Sequence, residues 1–151
     1  MNVLIRDARE DDLDALEELE RLCFSLPWTR EQLMGQLPDA DHEFLLAEYD
    51  GAVTGYIGMM CVLDEGYISN VAVSPDYRRK GIGRLLVSEM LSRAEKKKLS
   101  FATLEVREHN ESAIALYASA GFCPVGRRKN YYERPREDAL LMTKTFNKEE
   151  G

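Results

Sequence analysis

Residues 67–106 run as strand, glycine loop, helix and strand without a break, and that succession admits few folds. The segment 67–73 carries apolar and β-branched side chains at strand spacing and is closed by Pro75 and Asp76. Beyond the loop, Leu85, Leu86, Met90, Leu91 and Ala94 recur at helical spacing, and residues 101–106 return to strand character. Two strands joined through a crossover helix lie parallel with a right-handed connection, so their carboxyl ends and the helix N-terminus share one edge of the sheet. Ligands collect at such an edge. The loop itself, Arg78, Arg79, Lys80, Gly81, Ile82 and Gly83, sets three cations and two glycines at the predicted helix start. With no Cβ at Gly81 and Gly83 the backbone N–H groups are open to an anion, and the helix dipole adds to the same field. A basic glycine loop with no ligand is the plain alternative. A P-loop is excluded because no lysine follows either glycine, and a dinucleotide fingerprint because Leu86 stands where the third glycine belongs.

The other segments add strands and helices to this unit. Residues 3–8 read as a strand, and Asp11 or Asp12 can cap a helix whose Leu13, Leu16, Leu19, Leu22 and Cys23 form one apolar face opposite an acidic one. Pro27 and Trp28 break that pattern, and Thr29 with Gln32 makes a capping-box signature ahead of Leu33, Met34 and Leu37. Residues 43–49 and 53–63 are strand-like, joined by the hairpin signal Asp50-Gly51, with Gly55 and Gly58 interrupting the second strand. Asn110 suits the cap of a helix with Ala113, Leu116, Tyr117 and Ala120 on one stripe, stopped by Gly121. Residues 122–129 and 139–146 then read as a closing antiparallel pair around a loop over 130–137. The predicted architecture is α/β, a mixed twisted sheet of about seven strands flanked by helices. It forms a single domain over residues 1–146, followed by a short flexible tail at 147–151.

Composition narrows the function classes. At 151 residues and 44% hydrophobic content the chain can bury one core. A net charge of -7, with only short basic clusters at 96–98 and 127–129, argues against nucleic-acid binding and suits a cationic partner. No apolar run approaches the roughly 20 residues of a membrane span, and no signal-peptide pattern follows Met1, so a cytoplasmic location is expected. Cys23, Cys61 and Cys123 are isolated and set among apolar residues, as reduced core thiols would be. His42 and His109 are the only histidines and there is no C-x-x-C, so no metal site is expected. A monomer or weak dimer is expected.

Four stretches fall in a telling order: S-N-V-A-V-S-P-D-Y-R-R-K-G-I-G-R-L-L, L-E-V-R-E-H-N-E-S-A-I-A-L-Y-A-S-A-G-F, R-R-K-N-Y-Y and E-D-A-L-L-M. Together they resemble the GCN5-related N-acetyltransferases (GNAT), which bind acetyl-coenzyme A (acetyl-CoA). Within that family they look like the RimI-type branch, which acetylates the N-terminal alanine of a small-subunit ribosomal protein; the L-P-W of Leu26, Pro27 and Trp28 fits too. The likeness covers essentially the whole chain and is looser over residues 1–60. It implies a GNAT fold whose central parallel strands splay, with acetyl-CoA threaded between them. Backbone groups of Val71, Ala72 and Val73 would hold the pantetheine arm, and amides of Arg79, Lys80, Gly81, Ile82, Gly83 and Arg84 the pyrophosphate. Asn110 and Tyr117 would contact the cofactor. The resemblance makes Glu105 the general base and Tyr117 the group that assists the departing thiolate. Leu26, Pro27 and Trp28 on one side, and Tyr131 and Tyr132 on the other, would wall the acceptor groove.

Read without the resemblance, these residues have simpler uses. A glutamate at a strand end is ordinarily solvated or paired, and Arg107 is the same-face neighbour of Glu105. Tyr117 and Trp28 suit core packing, and Asn110 a plain helix cap. Acyl transfer to an amine needs a neutral amine, stabilisation of the developing oxyanion and help for the leaving thiolate. A phenol near pKa 10 is a weaker acid than a thiol near 8.5, so proton transfer from Tyr117 to the thiolate is uphill by roughly 2 kcal/mol and a hydrogen bond suffices. Rivals to the N-terminal reading are a lysine or small-molecule acetyltransferase and a noncatalytic acyl-CoA module, which would need neither Glu105 nor Tyr117. Cys123 as an acyl-enzyme nucleophile lacks a nearby histidine to activate it.

Overall fold

Phe44, Leu45, Leu46 and Ala47 are all fully buried in succession, so the strand that holds them is covered on both faces. The computed structural model describes residues 2–146, and the tail expected at 147–151 lies outside them. Along the chain come β1 (Val3–Asp7), α1 (Leu13–Cys23), α2 (Arg30–Met34), β2 (His42–Tyr49), β3 (Ala52–Val62) and β4 (Glu65–Val73). They are followed by α3 (Ile82–Lys96), β5 (Phe101–Arg107), α4 (Glu111–Ser119), β6 (Cys123–Tyr132) and β7 (Glu137–Thr145). The strands form one sheet in the order β1-β2-β3-β4-β5-β7-β6, and only β4 and β5 run parallel. Leu45, Ala47 and Ile57 face α3, whose Ile82, Leu86, Val87, Met90 and Ala94 complete one core. Phe44, Leu46, Tyr56 and Ala72 face the other way, under Leu13, Leu16 and Leu19 of α1 and Leu33 of α2.

Local signals produced the expected local structure. Asp50 and Gly51 both adopt positive φ, 54° and 82°, as a two-residue hairpin requires. Thr29 and Gln32 exchange side-chain-to-backbone hydrogen bonds at 3.1 and 2.9 Å and cap α2, which is only five residues long.

Elsewhere tertiary context altered the outcome. Asp12 does not cap α1 with its side chain; its carboxylate turns back to the backbone N–H of Arg9 at 2.8 Å and accepts two bonds from Arg6, at 2.8 and 2.9 Å. Leu22 is 46% exposed, and Glu20 takes the buried place beside Leu19. The Arg6 guanidinium holds the Asp12 carboxyl below its ordinary value. A depressed folded pKa gives stability that is present above the unfolded value of about 3.9 and is lost as pH falls through the folded one. Asp12→Asn should therefore cost about 2 kcal/mol at pH 7 in a urea titration, since it weakens hydrogen bonds to a charged group, and the difference from wild type should shrink in acid.

The functional edge is made by the way β4 and β5 part. Their parallel ladder comprises Glu65 with Phe101, Gly66 with Ala102 and Tyr67 with Thr103, and it stops there. β4 stays paired to β3 as far as Val73 opposite Gly55, and β5 stays paired to β7 as far as Arg107 opposite Ala139. Each strand keeps its outer neighbour, so a wedge opens between them. A bulge marks the place: Gly58 pairs with Asn70 and Met59 with Ile68, leaving Ser69 as the extra residue that bends β4. A Cβ on Gly58 would stand 2.8 Å from the Ser69 hydroxyl, so a side chain there would require Ser69 to turn away.

Candidate active site

The wedge widens into a cleft of about 640 Å³. β4 contributes Ile68 to Val71 to one wall and β5 contributes Leu104 to Arg107 to the other. The loop after α1 adds Phe24, Ser25, Leu26 and Trp28, α4 adds Ala113 and Tyr117, and the end of β6 with its following loop adds Tyr131 to Pro135. Glu105 on β5 and Tyr117 on α4 thus line the same space. Asn110 lines it as well while its side chain accepts the Ala113 N–H at 3.2 Å, so the cap and cleft readings hold together.

The partner of Glu105 is not Arg107. Arg128, from β6 two strands away, donates through Nε to Glu105 Oε2 at 3.1 Å. Arg107 instead binds Glu137 at 3.1 Å and the carbonyls of Pro135 and Glu133 at 2.9 and 3.0 Å, with its guanidinium 4.4 Å over the Tyr132 ring. One side chain therefore shapes the loop 133–136. Neither the short basic cluster nor the R-R-K-N-Y-Y stretch tied Arg128 to Glu105, because a contact across β7 is invisible to local spacing.

Tyr117 is 7% exposed and packs edge-on against Phe122, with ring centroids 5.9 Å apart. Burial pushes its hydroxyl pKa up to about 12. Tyr131 and Tyr132 sit at the end of β6, beyond a positive-φ residue, Asn130, rather than in a free loop. Their rings meet at 87° with centroids 5.0 Å apart; Tyr131 is half exposed and Tyr132 is largely covered. Burial raises both hydroxyl pKa values, and the charge of Glu105 adds to the shift.

Other expected site residues lie apart. Pro27 is exposed and outside the cleft lining. Ala72 is buried in the core under α1, and the Val73 carbonyl accepts Arg78 Nε at 3.1 Å and the Cys23 thiol at 3.4 Å, which leaves Val71 as the cleft-lining member of that trio. The glycine loop also lies outside the cleft lining. Arg79 and Gly81 have positive φ, 66° and 81°, and Gly81 is the N-cap of α3 with open space where its Cβ would be. Gly83, by contrast, serves packing: a Cβ there would press on Leu116 of α4 at 3.2 Å. Arg84 faces a second cavity of about 430 Å³ between α3 and α4, lined also by Ser88, Leu116 and Ser119. Cys123 is exposed on β6 and away from the cleft, contrary to a core position; Cys23 is the cysteine that lines it, with its thiol pKa raised by burial.

The model of the Acetyltransferase (GNAT) family matches residues 13–122, from the start of α1 to just before β6. The chain belongs to the GNAT acetyltransferase family. It is an N-acetyltransferase, in keeping with its full-length relatives. The [ribosomal protein bS18]-alanine N-acetyltransferase of Escherichia coli (strain K12) is 36% identical over 133 residues, covering 87% of this chain and 89% of that one. A Bacillus subtilis (strain 168) relative carries the same name provisionally, at 36% identity over 144 residues with 95% of each chain covered. The crystal structure of the Escherichia coli ribosomal-protein-S18-alanine N-acetyltransferase superposes with a TM-score of 0.90 at 32% identity, covering 98% of this chain and 97% of that one. The GNAT likeness thus extends through β6 and β7, beyond the matched family segment.

Proposed function

We propose that this GNAT chain transfers an acetyl group from acetyl-CoA to the N-terminal α-amine of a protein in the cytoplasm, with the N-terminal alanine of a small-subunit ribosomal protein as acceptor. The observation that carries the reading is that Glu105 on β5 and Tyr117 on α4 line one cleft, opened by the parting of β4 from β5. The named activity of the relatives supports the acceptor. The unpaired edge of β4 offers main-chain groups to the amides of a pantetheine arm. The positive-φ turn at Arg79 and Gly81, at the N-terminus of α3, offers backbone N–H groups to the pyrophosphate.

The chemistry then divides among this chain's residues. As the amine nitrogen bonds to the thioester carbon, Glu105 takes the nitrogen's proton, through water, and the carbon–sulfur bond breaks. The Tyr117 hydroxyl donates a hydrogen bond to the departing thiolate and keeps its proton. Burial holds Tyr117 at about 12, so its phenol is a weaker acid than in water and hydrogen bonding, not proton donation, is the role its hydroxyl can fill.

Gly81→Glu should abolish the rise in Tm that acetyl-CoA gives the wild type, because it adds a negative charge at the anion site and a strained positive φ. Calorimetry showing unchanged affinity would remove the glycine loop from the cofactor site. The acceptor is tested with acetyl-CoA and a peptide beginning Ala-Arg: mass spectrometry should place the acetyl group on the α-nitrogen. Transfer only to polyamines or other small amines would overturn the N-terminal reading.

A further inference from the structure

α1 buries Leu13, Leu16, Leu19 and Glu20, and the last is a carboxylate only 1% exposed. A leucine there would continue the apolar stripe without the cost of desolvating a charge. The Glu20 oxygens instead accept from two neutral donors: the backbone N–H of Trp28 at 2.6 Å, and the hydroxyl of Tyr56 on β3. The side-chain amide of Asn70 on β4 donates in turn to the Tyr56 hydroxyl at 3.4 Å. Asn70 on the β4 wall and Trp28 in the loop after α1 both line the cleft. Trp28 also packs on the core cluster of α1 and α2, so its ring is at once core and wall. The carboxylate thus ties that loop to β3 and β4 from behind, without touching the cleft itself. Burial raises the Glu20 pKa, as its surroundings require.

We propose that Glu20 is a positioning residue that holds Trp28 against the cleft and so sets the room left for the acceptor's first side chain. This rests on the acceptor reading above, and the chain offers a readout that does not: Trp28 is its only tryptophan. Acrylamide quenching of tryptophan fluorescence therefore reports the wall directly, with no acceptor present. In Glu20→Gln the amide oxygen can keep the Trp28 N–H while its NH2 group meets the Tyr56 hydroxyl, which must turn from donor to acceptor; in Glu20→Leu both lose their acceptor. Glu20→Leu should quench more readily than wild type, Glu20→Gln less markedly so, and both should keep acetyl-CoA affinity. In Glu20→Leu the acceptor KM for an Ala-Arg peptide should rise about 10-fold with kcat nearly unchanged, the scale of one hydrogen bond to a charged group. Discrimination against a Met-Arg peptide should shrink. Tyr56→Phe, which keeps the Trp28 bond, should give a smaller change in the same direction, and it serves if the Glu20 variants fail to fold. Unchanged quenching and KM in folded variants overturn the role of Glu20, as does a fall in kcat with KM constant, which would make it a chemical group. Absence of any α-amine acetylation by the wild type removes the acceptor reading itself, and this proposal with it.

Discussion

Glu105→Gln should lower turnover by about 100- to 10,000-fold at saturating acetyl-CoA and acceptor, the range for loss of a general base. The amide keeps the volume and hydrogen-bonding reach of the carboxylate but cannot take the nitrogen's proton. Stability should hardly change. The pair lost with Arg128 is partly open to solvent, with the arginine side chain 55% exposed, and such pairs contribute about 0–1 kcal/mol. Acetyl-CoA affinity should stay near wild type, because the role proposed for Glu105 is on the acceptor's nitrogen and not on the cofactor. Tyr117→Phe should cost less, about 10- to 100-fold, since one hydrogen bond to a developing anion is removed. The ring remains to pack against Phe122, so the Tm should hold. Stopped assays with each variant, read beside the Tm, check both. Near-wild-type turnover in the two variants together, with Cys123→Ala inactive, would replace direct transfer by an acyl-enzyme route.

A free α-amine should be acetylated at least 100-fold faster than a lysine in a matched, N-blocked peptide at pH 7. A peptide α-amine has a reference pKa near 7.7–8.0 and a lysine near 10.4, so the neutral fraction alone favours the former by about 300-fold. A single carboxylate base suits the amine that is already partly neutral. The advantage should narrow as pH rises from 7 to 9, because the α-amine saturates in its neutral form while lysine continues to gain. Mass spectrometry of the two peptides over that range measures the ratio. The second residue is chosen cationic because the chain carries a net charge of -7. Glu133 lines the cleft, while Glu137 pairs with the nearby Arg107. Substitutions at Tyr131 and Tyr132 should act chiefly on KM, with Tyr132 costing more, since Arg107 lies over its ring.

What the sequence disclosed about this fold follows the range of each signal. The Asp50-Gly51 turn, the Thr29–Gln32 capping box and the glycine N-cap of α3 are set by residues within four positions of each other, and all three form. The cleft's location was legible for a related reason: a crossover from strand to parallel strand places its ligand edge whatever the details. Contacts between distant segments were not legible. Nothing near Glu105 in sequence pointed to Arg128, and the helical pattern of α1 placed Leu22 inside and left Glu20 unassigned, when burial runs the other way. β6 continued through Tyr132 because it pairs with Glu137 across a local irregularity at Asn130, which strand propensity does not register. Cys123 looked interior from its apolar neighbours yet lies exposed on the edge strand.

The three pairings between β4 and β5 have a mechanical meaning. Along the hydrogen-bonding direction the sheet is two panels, β1 to β4 and β5 to β7, stitched by a seam from Glu65–Phe101 to Tyr67–Thr103. The width of the cleft is then the angle between the panels, and the seam is its hinge. The seam is closely packed: a Cβ on Gly66 would meet the Met59 sulfur at 2.9 Å and a Leu99 methyl at 3.0 Å. A substitution at Gly66 would therefore have to displace the ends of those two side chains at the root of the seam, outside the cleft lining.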